Sequence, residues 1–125
     1  ICAHSMPTEG LRGGVDLQRV RGDLVPGTRS RTTAAGSLID VADAHAQSFG
    51  WTVVHDHPYR GGFSTWHYGV PANKIHAIQL ELARRLYMNE TSLSIRANGF
   101  RLVRDFARSL VARFSKTQAS DLENP

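Results

Sequence analysis

A helical period that stops at a glycine and passes at once into a strand-like run constrains this chain more than any other feature. Leu38, Val41, Ala42, His45 and Phe49 recur at three- and four-residue spacing. Ser37 followed by Asp40 has the form of a capping box and Gly50 supplies a stop, which predicts a helix over 37–49. Trp51-Thr52-Val53-Val54-His55 follows directly and is β-branched and aromatic, as a strand requires. The theme recurs downstream. Residues 75–82 read as a strand and residues 96–114 as a helix whose Phe100, Val103, Phe106, Ala107, Leu110, Val111 and Phe114 form one apolar stripe. Strands alternating with helices predict an α/β chain with mostly parallel neighbours in its sheet.

Ahead of the first helix the pattern is looser. An apolar run ends at His4 and Ser5-Met6-Pro7 breaks it, as where a buried strand enters a loop, so the chain is expected to begin inside a strand. Residues 8–36 are rich in Gly, Arg and Thr and read as a long loop with a short strand near Asp23-Leu24-Val25. Loops of that length are uncommon in a compact domain unless they line a site or the element assignment is wrong. Residues 56–62, with Pro58 and the Gly61-Gly62 pair, form a second loop, and residues 116–125 a polar tail expected to fray beyond a domain at 1–115.

With 125 residues, 41% of them hydrophobic, the chain can bury one modest core. No apolar run nears the roughly 20 residues that cross a bilayer, and Ile1-Cys2-Ala3-His4-Ser5 lacks the zones of a signal peptide. The single cysteine, Cys2, allows no internal disulfide; a soluble, cytoplasmic protein is expected. The formal charge of +4 is carried by arginine, since Lys74 and Lys116 are the only lysines. Arginine forks hold carboxylates or phosphates through paired hydrogen bonds, so this balance suits a small dianion as well as a polyanion.

On the 75–82 strand Ile78, Leu80 and Leu82 share one face and Ala77, Gln79 and Glu81 the other. A carboxylate near the carboxyl end of an α/β strand lies where such sheets bind ligands; the alternatives are an edge strand with Glu81 in water, or a pairing of Glu81 with Arg84 or Arg85. His4, at a strand end, suits either a metal ligand or a polar terminus, and His55 with His57 forms a His-x-His pair that can chelate. His45 and His76 fall on apolar faces and read as core residues.

Three stretches, in order, resemble the N-formylglutamate amidohydrolase family: His4-Ser5-Met6-Pro7; His57-Pro58-Tyr59-Arg60-Gly61-Gly62-Phe63 with His67-Tyr68-Gly69; and the run from His76 through Gln79-Leu80-Glu81-Leu82 to Met88. Gly27-Thr28-Arg29 matches a further segment, and the likeness extends to about Glu90. The resemblance implies the carboxy-terminal part of a phosphorylase/hydrolase-like, zinc carboxypeptidase-like fold, with a mixed, mostly parallel sheet flanked by helices. It implies His4 as a zinc ligand and Glu81 as the catalytic base, Arg29 and Arg60 as cations for a substrate with two carboxylates, and Tyr59, His67 and Tyr68 as orienting groups. For Arg60 a salt bridge to Asp56 is the structural alternative.

Two departures stand out. Cys2 occupies a place that is usually acidic in the family, and Trp66 one that is usually basic. The amino-terminal His and Glu that complete the zinc site in that fold have no counterpart in this sequence, so the chain by itself is expected to be inactive. The expected partner is a small acidic amide, with neither nucleic acid nor membrane. Two rival readings are a basic binding module, with Arg101, Arg104 and Arg108 on one face of the last helix, and a homologue that has lost its chemistry.

Overall fold

The computed structural model describes residues 1–10 and 20–122; part of the expected long loop, 11–19, and the last three residues of the tail lie outside them. Strands β1 (Cys2–Met6), β2 (Leu24–Gly27) and β3 (Gln79–Ala83) form one sheet in the order β1-β3-β2, so β3 is central and β1 is an edge. β1 runs parallel to β3 and β2 runs antiparallel to it. The sheet is therefore mixed, as expected, with one parallel and one antiparallel pairing among the described strands.

Alternation divides the sheet cleanly. Leu24 and Leu80, with Ile78 just ahead of β3, turn toward helix α1 (Gly36–Ser48) and helix α3 (Ala97–Phe114). The opposite face carries Met6, Val25 and Ala83 as a small second apolar cluster around the position of Glu81. One face makes the main core, and the other carries Glu81 beside the smaller cluster.

α1 forms where its period predicts, burying Leu38, Ile39, Ala42, His45 and Ala46. Its end is a Schellman turn: Gly50 takes a positive φ of 75°, its N–H donates to the Gln47 carbonyl, and the Trp51 N–H reaches back to Ala46. Its start differs from expectation. The helix begins at Gly36 with Ala35 as cap, and the Ala35 N–H donates to His76 Nδ1, while Asp40 pairs with Arg31. The run after Gly50 does lie extended against β2, through Leu24 N–H to the Thr52 carbonyl, Val54 N–H to Leu24 and Asp56 N–H to Pro26, although only Val53 forms a formal parallel bridge. The strand predicted at 75–82 starts later, at Gln79, because Ile75 instead pairs with Val70 across the 3-10 turn Pro71–Asn73.

A two-strand ribbon, β4 (Met88–Asn89) with β5 (Ser94–Ile95), leads into α3. The predicted stripe on α3 is only partly used: Phe106 and Leu110 are buried, whereas Phe100 and Val111 are exposed. Among the arginines opposite, Arg101 contacts Asn98 and Arg104 pairs with Asp105, as on an ordinary solvated face. The tail is not simply frayed, because a 3-10 turn at Ala119–Leu122 lets Leu122 pack on the α1–α3 core. Among the described residues no helix is long and apolar enough to cross a membrane.

His45 is a core residue, as its position on the apolar face suggested. Its ring stacks on Phe106 at 5.0 Å, and its Nε2 lies 2.7 Å from Ser109 Oγ, whose own hydroxyl donates to the Asp105 carbonyl. Nε2 therefore carries the hydrogen of the neutral ring, and among the described residues the buried Nδ1 has no partner to receive a second. Burial pushes the His45 pKa below its ordinary 6.5, with the Phe106 carbonyl opposing the shift and Arg113 adding to it. The unfolded chain then binds a proton that the folded chain refuses, so stability is complete above about pH 6.5 and declines as pH falls below it. Thermal unfolding followed by circular dichroism across this range is expected to show the decline. A His45→Gln protein should show a flatter profile, and equal slopes for the two would refute the assignment.

Candidate active site

Parallel pairing places His4 on β1 directly opposite Glu81 on β3, and paired positions project to the same face. Glu81 also faces Val25 across the antiparallel ladder. It is only 6% exposed and lies on the central strand, so the reading of an edge carboxylate in water does not hold. Nor is it paired with Arg85, whose guanidinium binds Asp23 and the Arg21 carbonyl. Burial raises the Glu81 pKa above its ordinary range; His4, the hydrogen bond from Gln79 and the more distant Arg21 and Arg84 pull it partly back. Such a carboxylate is a better proton acceptor than one in water.

Gln79 is the functional residue that sequence reasoning passed over. It precedes Glu81 by two positions, the strand period that puts both on one face. Its Nε2 donates to Glu81 Oε1 at 3.0 Å while its Oε1 accepts the Gly62 N–H at 2.9 Å. One buried amide thus joins the carboxylate to the glycine loop.

That loop also packs on the end of β2. A Cβ at Gly27 would come within 2.6 Å of the Gly61 nitrogen and 2.9 Å of the Tyr59 carbonyl oxygen, so any side chain there must displace backbone. Beyond Gly27 the chain does something costly. Arg29, Ser30 and Arg31 have φ of 51°, 64° and 63°, three successive left-handed residues, none of them glycine. Each costs about 1–2 kcal/mol. The turn is held by Asp56, whose carboxylate accepts the N–H groups of Thr28 at 2.8 Å, Arg29 at 3.0 Å and Ser30 at 2.5 Å. Asp56 is therefore engaged with backbone, and the alternative of a salt bridge to Arg60 does not form.

Arg29 and Arg60 are brought together. The Arg29 N–H also reaches the Arg60 carbonyl at 3.0 Å and its Nη1 donates to the Gly61 carbonyl at 3.2 Å. Arg60 is exposed, and among the described residues no acceptor holds its guanidinium. Tyr59 lies under Arg21, whose guanidinium carbon is 5.3 Å from the ring centre. No hydrogen bond or ion pair among the described residues links His67 or Tyr68 to Glu81. They end helix α2 (Phe63–Tyr68) in an exposed aromatic group, with His67 stacked on Phe63 at 5.0 Å and edge-on to Tyr68 at 4.8 Å.

His4 is exposed on the edge strand and no hydrogen bond among the described residues occupies its ring. As a free imidazole it fits a single ligand position. His55 bonds Asp43 at 2.9 Å, and among the described residues no group of three His, Cys, Asp or Glu side chains is placed to hold a metal ion. His4 offers a single donor, and the described residues do not by themselves form a metal site.

Comparison with known proteins accords with this layout. The family model described as N-formylglutamate amidohydrolase matches residues 1–88, which takes in β1, both loops and all of β3. An N-formylglutamate deformylase of Pseudomonas putida is 50% identical over 46 residues, covering 37% of this chain and 17% of that protein. One from Pseudomonas aeruginosa is 41% identical over 64 residues, covering 46% of this chain and 24% of that protein. The crystal structure of N-formylglutamate amidohydrolase from Ralstonia eutropha JMP134 superposes with a TM-score of 0.80 at 30% identity, over 91% of this chain and 41% of that one. The chain thus spans well under half the length of these relatives. Because the match runs unbroken through the strands that carry His4 and Glu81, the chain belongs to the N-formylglutamate amidohydrolase family.

Proposed function

We propose that the whole protein hydrolyses N-formyl-L-glutamate, or a related N-acyl acidic amino acid, to formate and the free amino acid, and that this chain supplies the base, one metal ligand and the substrate loop. The observation that carries the reading is the buried Glu81 carboxylate standing in register with an unoccupied imidazole, His4, in a family whose matched members are N-formylglutamate deformylases. The kinship with zinc carboxypeptidases belongs to the same reading.

Glu81 takes a proton from the water that attacks the formyl carbon and delivers it to the departing amine nitrogen. Gln79 holds the carboxylate from the side and keeps the Gly61–Gly62 segment against it. The two carboxylates of the substrate call for fixed cations, and Arg29 and Arg60, joined at the loop contact, provide them. Tyr59 lines the same loop, and His67 and Tyr68 orient the substrate from the outer end of α2. Zinc, when bound, lowers the pKa of a water and polarises the carbonyl, with His4 holding it alongside ligands from elsewhere in the protein.

A protein extended upstream of Ile1 is expected to retain about one zinc per chain and to release formate from N-formyl-L-glutamate, whereas residues 1–125 alone release none. Metal analysis and a formate assay on the two proteins check this. An extended protein without zinc, or one with zinc that leaves N-formyl-L-glutamate intact, would sink the reading.

A further inference from the structure

We propose that Asp56 is a positioning residue for substrate, a carboxylate that acts through backbone amides to set the direction of Arg29. The inference rests on the reading of Arg29 as a group that binds a substrate carboxylate. Neither the proposed mechanism nor the motif resemblance assigns Asp56 this part.

Asp56 is placed from outside the turn it controls. Its own N–H donates to the Pro26 carbonyl, which fixes it beside β2, and its φ of 59° swings the carboxylate back toward residue 28. There Oδ1 accepts two amides, from Thr28 and Arg29, and Oδ2 accepts a third, from Ser30. The N–H groups of Thr28, Arg29 and Ser30 converge on one point in this turn, and such a concavity is an anion site. Here the protein fills it with its own anion. No cation shares that carboxylate among the described residues, so its charge is spent on the turn.

The consequence for Arg29 is specific. Its amide is shared between Asp56 Oδ1 and the Arg60 carbonyl, and its Nη1 is tethered to Gly61, which leaves the rest of the guanidinium without an acceptor among the described residues. Without the carboxylate, Arg29 to Arg31 are free to return to right-handed conformations, and the side chain leaves with them. Binding of the substrate carboxylate is then weakened while the proton transfer at Glu81 is left alone.

The test uses the upstream-extended protein and two variants. Asp56→Gly empties the anion site and also removes the cost of a positive φ. Asp56→Asn keeps an acceptor for Thr28 and Arg29 but turns an N–H toward Ser30. Steady-state kinetics on N-formyl-L-glutamate are expected to show KM raised by about tenfold or more in Asp56→Gly and less in Asp56→Asn, with kcat changed by under about threefold. Acetate, measured against chloride at equal ionic strength and against the unsubstituted protein, is expected to restore KM in Asp56→Gly alone. Unchanged KM in folded variants, a fall in kcat with KM intact, or no recovery with acetate overturns the proposal. So does failure of both variants to fold with acetate present, which makes Asp56 an anchor of the fold only. If the unsubstituted protein releases no formate, the functional reading has failed, and amide NMR decides the present point separately. In Asp56→Gly, saturable acetate shifts confined to Thr28, Arg29 and Ser30 support the anion site, and their absence refutes it.

Discussion

Glu81→Gln in the upstream-extended protein is expected to lower kcat for formate release by about 10²–10⁴, with zinc content and KM little changed. The substitution is nearly isosteric, and its amide oxygen still accepts from Gln79 Nε2, so the strand and the loop contact through Gly62 are preserved. What disappears is the capacity to take a proton, in a position where burial makes that capacity strong. Measuring kcat, KM and bound metal together separates the possibilities. A rate close to that of the unsubstituted protein would remove Glu81 from the mechanism, and loss of metal along with the rate would make it a ligand instead of a base.

The largest effect on stability is expected at Phe106→Ala, a loss of about 3–5 kcal/mol. Phe106 is 1% exposed and its ring meets three others: His45 at 5.0 Å, Trp51 at 4.6 Å and Phe49 at 5.5 Å. It joins α3 to α1 and to the turn that follows α1. Truncation leaves a cavity bounded by rings that cannot collapse into it without breaking the His45 contact with Ser109. Phe100→Ala, on the same helix but 49% exposed, is the control, expected to change stability by no more than about 0.5 kcal/mol. Denaturant titrations of both variants test the pair. Equal losses would mean that the stripe on α3 is covered along its whole length in solution.

These two positions show where sequence was a good guide. The apolar period on α1 and α3 and the stop at Gly50 are local signals, and both helices formed within a residue or two of the expected ends. Periodicity could not say how much of the α3 stripe would be covered, since that depends on what packs against it. The strands were less legible because a strand is defined by its partner. Residues 51–55 pair with β2 over too short a length to be more than a bridge, and β3 begins only where β1 and β2 reach it. The cap fell at Ala35 and not at Ser37, and the Ala35 N–H is met by a histidine 41 residues away.

The same divide runs through the candidate site. Alternation along β3 was enough to turn Glu81 away from the core, but the register that sets it opposite His4 is a tertiary fact. Gln79 carried a usable signal, its place on the face of Glu81. Asp56 carried none, because nothing in Thr28-Arg29-Ser30-Arg31 announces three left-handed residues in a row. The family resemblance supplied His4, Arg29 and Arg60 where composition could not, and the comparisons bear out the family itself.

The order β1-β3-β2 has a geometric consequence at its open side. β2 is flanked by β3 and by residues 52–56, so among the described residues the outer backbone of β1 is where the ladder can be extended. A strand joining there runs about 4.8 Å from β1, every second side chain on it lies on the face of Glu81, and the one in register emerges beside His4. Growth of the sheet and arrival of new donor atoms at His4 are then one event, so a peptide that pairs with this edge brings its side chains to the imidazole without any rearrangement of β3.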